Sequence, residues 1–111
     1  MSKSKLIQDF MGWELIQRDS QWLFVNKFTE ETISRTFYNN SELPYETDWN
    51  YLMEALKRFD NFDFFNNRTI EETNNYSYLC DQIDYAVTLY NINDAVNALC
   101  EGIEWYNTTL N

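Results

Sequence analysis

The sequence predicts an α+β fold: a small antiparallel sheet of about five or six short strands packed with three helices, in a single domain over residues 1–111. Three observations carry this. Residues 49–59 and 92–106 place apolar side chains at helical spacing behind capping signals. Residues 13–27 hold two short alternating runs around a polar turn, the pattern of a hairpin. Short connections between successive strands mean antiparallel pairing, with helices segregated to the faces.

Residues 4–11 read as a short helix with Leu6, Ile7, Phe10 and Met11 on its apolar face and Gly12 able to end it. Residues 13–17 and 21–27 read as two strands around Arg18, Asp19 and Ser20. In the first, Trp13, Leu15 and Gln17 face one way. In the second, Trp22, Phe24 and Asn26 oppose Leu23 and Val25. Residues 33–38 are β-branched and aromatic enough for a third strand, and 39–42 are polar punctuation.

Residues 43–59 are the stretch around which the chain is expected to organise. Pro44 fixes φ and keeps Leu43 out of helix. Thr47 is the expected N-cap, and Asp48 complements the helix dipole. Trp49, Leu52, Met53, Leu56 and Phe59 form one stripe, and Lys57 and Arg58 suit the negative end.

Beyond it, Asn61 suits a turn and 62–65 a short strand, while 66–75 read as a loop or hairpin tip. Residues 76–80 suit a strand. In 82–90, Ile83, Tyr85, Val87 and Leu89 alternate with their neighbours, a period of two; a helix running on into the last segment is the alternative. The closing helix has Asn93 as its expected N-cap and Asp94 in its first turn. Ile92, Val96, Leu99, Cys100, Ile103 and Tyr106 line one face. Gly102 inside it costs roughly 1 kcal/mol against Ala, which suits a place where another backbone comes close.

The composition excludes several functions. A net charge of −10 and a pI near 4.2 oppose direct binding to nucleic acid, whose affinity comes largely from cations on phosphates. The same charge opposes anionic membranes and favours basic partners. The first 68 residues hold all eight bases and eleven acids, whereas the last 43 hold seven acids and no base. That one-signed segment is either a solvated surface or a docking surface for a groove rich in Lys and Arg. No apolar run approaches the ~20 residues of a membrane span, and the N-terminus is not that of a signal peptide. The expected compartment is the cytosol, with Cys80 and Cys100 reduced.

Catalytic chemistry finds few footholds. Without histidine there is no Ser-His-Asp or Cys-His machinery and no His-ligated zinc. Gly12 and Gly102 alone cannot form a glycine-rich phosphate loop. Asp60 with Asp63, Glu71 with Glu72, and Asp81 with Asp84 are carboxylate pairs, but none follows a calcium-loop pattern. No metal, no cofactor and no enzymatic activity are expected. Aromatic residues are more numerous than a small core needs, and protein interfaces use Trp and Tyr as anchors beside an acidic rim. Trp105, off the main stripe of its helix, and Tyr45, in a turn, are the expected exposed anchors.

The run Tyr45-Glu46-Thr47-Asp48-Trp49 with Leu52 and Met53 behind it, and the end from Ala95-Val96 to Ile103-Glu104-Trp105-Tyr106-Asn107, resemble small phage and prophage proteins of the α-β-α sandwich type. Met11-Gly12-Trp13 resembles the start of such proteins. Pro44 directly before Tyr45, and Glu104 where lysine is common, depart from the pattern. The resemblance implies a phage origin and a host bacterial cytoplasm. It implies a counter-defence role of the anti-CRISPR kind: a non-enzymatic inhibitor docked on a basic surface of a host CRISPR effector or other ribonucleoprotein. The residues expected at that interface are Glu71, Glu72, Asp81, Asp84, Glu101, Glu104, Trp105 and Tyr45. The alternatives are an oligomeric sponge for a nucleotide signal and an accessory phage structural or assembly protein; a homodimer is compatible with any of them.

Overall fold

The computed structural model describes residues 2–34, 42–60 and 69–110. Within them the chain is α+β, with four α-helices, a three-stranded antiparallel sheet and a π-helical last turn. The first helix, α1 (Lys3–Phe10), starts at Ser2, whose hydroxyl accepts the Lys5 N–H at 3.0 Å. It ends at Met11, and Gly12 turns the chain at φ +86°.

Strand β1 (Trp13–Arg18) pairs antiparallel with β2 (Gln21–Asn26), with Trp13 opposite Asn26 and Arg18 opposite Gln21. Asp19 and Ser20 both have positive φ, 52° and 67°, the twist that a two-residue hairpin turn requires. β3 (Thr32–Ser34) joins the free edge of β2. Trp13 and Phe24 are buried, with Leu15 and Ile33 against them. The face shared by Trp13, Leu15, Phe24 and Asn26 is the inner one, but it opens to solvent at the turn end, where Gln17 and Trp22 are exposed. Buried Asn26 fastens this corner: its amide donates to the Met11 carbonyl at 2.9 Å, and its oxygen accepts from Phe28 N and Thr29 N.

The turn at residues 42–48 is pinned to α1. Leu43 N donates to Gln8 Oε1 at 2.9 Å, and Ser4 donates from both its N–H and its hydroxyl to Glu46 Oε2. Those bonds satisfy the buried Gln8 and Ser4, polar residues on the core side of an otherwise apolar helix face. Helix α2 (Trp49–Asp60) follows. Asp48, not Thr47, caps it, since the Asp48 carboxylate accepts the Asn50 N–H at 2.9 Å. Its buried stripe is Leu52, Ala55, Leu56 and Phe59; Met53 lies outside it, 45% exposed.

Helix α3 (Ile70–Thr88) replaces the strand expected at 76–80, most of that expected at 82–90, and residues 70–75 of the expected loop. Its core face is Tyr76, Leu79, Ile83 and Ala86, a helical spacing. The apparent alternation of Ile83, Tyr85, Val87 and Leu89 mixes two faces: Ile83 is buried, whereas Tyr85 and Leu89 are exposed. The turn expected at Asn61, the strand expected at 62–65, residues 66–68 of the expected loop and residues 35–38 of the third strand lie outside the described residues.

Helix α4 (Ile92–Trp105) starts at Asn91 rather than Asn93, because the Asn91 side chain accepts the Asp94 N–H at 3.1 Å. α1, α2 and α3 all pack on α4, so α4 rather than α2 is the hub. The sheet is attached to this helical body through β1 against α1. Gly102 is buried where α2 crosses, and what comes close there is the Phe59 ring rather than a backbone.

Candidate functional site

Helix α3 has two working faces. Inward, it packs on α4 and reaches α2 through Tyr76. The hydroxyl of Tyr76 reaches the carbonyl oxygens of Phe59 and Asp60, the latter at 2.9 Å, and so satisfies the exposed end of α2. Burial pushes the Tyr76 phenol well up from its ordinary value. The Trp105 ring stacks on Tyr76 with centroids 6.4 Å apart.

Outward, on the opposite side of the helix, stand Tyr78 (60% exposed), Tyr85 (68%) and Leu89 (55%). Their spacing of seven and four residues puts them in one line along the helix. Glu71 extends that line at the N-terminal end, one heptad before Tyr78. Tyr90, in the turn after α3, is 87% exposed. Side chains this exposed contribute little to the core.

The acids expected at an interface divide among several places. Asp81 and Asp84 sit on the shoulder of α3 between the tyrosine line and α2. Burial, and then the like charges of Asp60 and Asp81, raise the Asp84 carboxyl above its ordinary range. Glu72 is committed to the fold: its carboxylate accepts from the N–H of Thr69 at 3.2 Å and from its hydroxyl at 3.0 Å, closing a capping box. Glu101 and Glu104 belong to α4 and line a separate groove against Ser2, Lys3 and Leu6 of the N-terminal segment.

Two expected anchors are corrected. Tyr45 is 1% exposed, its ring edge-on to Tyr51 at 5.6 Å, because the bonds from 42–46 to α1 draw the turn inward. Trp105 is half-buried against Tyr76 and serves packing first. Sequence reasoning missed Tyr78, Tyr85 and Leu89 because they were assigned to strands. The signal that would have found them is Thr69-Ile70-Glu71-Glu72, a capping box that announces a helix.

A groove of about 360 Å³ runs between α2 and α3, with Leu56, Phe59 and Ile83 at its base. Cys80 and Val87 line its α3 side, and Met53, Glu54, Lys57, Asp60 and Asp84 its edges. Burial raises the Cys80 thiol above its ordinary value, and Asp60, Asp84 and Asp81 add to the rise, against a bond from Tyr76 that lowers it. A thiol so held is a poor nucleophile at neutral pH. Among the described residues no group of three or more His, Cys, Asp or Glu is placed to hold a metal ion, and no helix is long and apolar enough to cross a membrane. Against known proteins, no family model, no curated sequence and no solved structure matches this chain.

Proposed function

We propose that this chain is a non-enzymatic binding protein that docks on a basic protein surface through the outer face of α3. One observation supports this above all: a line of solvent-facing tyrosines and leucine, shouldered by Glu71, Asp81 and Asp84, on a segment that has no cation from residue 69 to its end. Aromatic side chains supply contact area at low entropic cost, and the carboxylates select for lysine and arginine opposite them. The same charges oppose a face-to-face pair of two copies, since each would meet seven acids and no base.

A nuclease effector that holds guide and target in a positively charged channel has a surface of this chemistry. Occupying it makes the domain an inhibitor, the counter-defence role that the phage resemblance implies, acting in a bacterial host. The test is inhibition of such an effector by the wild type and by a variant with Glu71, Asp81 and Asp84 reversed to Lys. Glu72 stays, because its reversal would uncap α3. Inhibition that falls with the reversal and with added salt is expected; inhibition indifferent to both refutes acidic docking.

A further inference from the structure

We infer that the groove between α2 and α3 receives apolar side chains from a cationic amphipathic helix of the partner, next to the tyrosine face. The inference rests on the docking role proposed above and names what the adjoining groove adds to it.

The base of the groove is apolar, from Leu56, Phe59 and Ile83, and Val87 continues it up the α3 side. Among the described residues its edges carry three carboxylates, Glu54, Asp60 and Asp84, against the single ammonium of Lys57. An apolar side chain gains by leaving water there, and a flanking Lys or Arg gains by meeting the edge. The crowding of Asp84 by Asp60 and Asp81 is relieved when a cation arrives. Two helices bound the groove, with Met53 to Asp60 of α2 on one side and Cys80 to Val87 of α3 on the other. That length, about 10 Å at 1.5 Å per residue, matches two turns of a helix laid along it with anchors at i, i+3 or i+4 and i+7. A second copy of this chain is the wrong occupant, since its own net charge is −10. The groove and the tyrosine line meet across Asp81 and Asp84, so one basic surface can engage both.

The test uses the full chain with a synthetic amphipathic leucine-lysine peptide and its scrambled, non-amphipathic isomer as probes. The readouts are alkylation of Cys80, followed by peptide mapping, and affinity by calorimetry. The amphipathic peptide is expected to slow Cys80 alkylation about tenfold and the isomer to leave it unchanged. Met53→Lys places a cation at the groove edge on an exposed position that the fold does not need. It should weaken the peptide about tenfold, while Tyr78→Ala should weaken it less. Equal affinity of wild type and Met53→Lys, with Cys80 unprotected, overturns the groove and leaves the tyrosine face standing. A chain that binds neither peptide and captures no basic protein overturns both readings.

Discussion

A Cβ added to Gly102 of α4 would stand 2.7 Å from the ring of Phe59 of α2. Phe59 is fully buried, and its ring is held at 6.2 Å from that of Phe10 and 5.3 Å from that of Tyr76. The glycine therefore sets how closely α2 approaches the hub helix. Alanine would gain up to about 1 kcal/mol of helix propensity. Overpacking a filled core costs about 1–3 kcal/mol, and the held ring has little room to yield. Gly102→Ala is expected to be destabilised by about 1 kcal/mol, read as a lower urea midpoint at unchanged slope.

Arg58 ties α2 to the sheet corner. Its guanidinium carbon lies 4.9 Å from the Phe10 ring centroid and 4.7 Å from that of Phe28, and its Nε donates to the Phe10 carbonyl at 3.0 Å. Phe28 in turn lies over Gly12. Lysine keeps the charge but loses the planar stack and the directed bond. Arg58→Lys should cost about 1–2 kcal/mol in urea unfolding, of which the lost bond and the lost ring contact each supply about half.

Stability should fall in mild alkali through Cys100. Burial pushes this thiol up from 9.0 to about 11, and Glu104 and then Glu46 act with burial, against Lys3. The folded value lies above the unfolded one, so the neutral thiol stabilises the fold fully below about pH 9, and that contribution is lost between about 9 and 11. Unfolding midpoints at about pH 8 and about pH 10.5 should converge between wild type and Cys100→Ala, with the wild type losing more.

Asp84 offers a separation of stability from binding. Its carboxyl is raised by burial and by the like charges of Asp60 and Asp81, so its charge is a small liability in the free chain. Asp84→Asn should raise the melting temperature slightly and weaken binding to any cationic partner. A variant that loses stability instead would place Asp84 in the fold rather than at the interface.

Much of the frame was legible. The hairpin and the two amphipathic helices around Leu52 and Leu99 follow from periodicity alone. What misled was α3, which carries aromatics on both faces: Tyr76 inside, Tyr78 and Tyr85 outside. Binary patterning fails on such a helix, and only the cap at Thr69 marks it. Tyr45 misled for another reason. A residue beside proline reads as surface, and only the bonds from α1 to the turn, between residues some 35 to 42 apart in sequence, bury it. The acidic character of the C-terminal part was plain in the sequence. Its division between cap, shoulder and a second groove depends on tertiary contacts.

The proposed docking of α3 on a basic protein runs through Tyr78 and Tyr85. The most direct measurement is capture from bacterial lysate by the tagged wild type and by Tyr78→Ala/Tyr85→Ala, each at low salt and at about 0.5 M, where the Debye length is roughly 4 Å. Both variants should fold alike, because the two side chains are exposed. Wild type is predicted to retain a basic protein or ribonucleoprotein at low salt, to release it at high salt, and to lose it on the double substitution. Equal capture by wild type and double variant, or capture of its own copies alone, would contradict docking through this face.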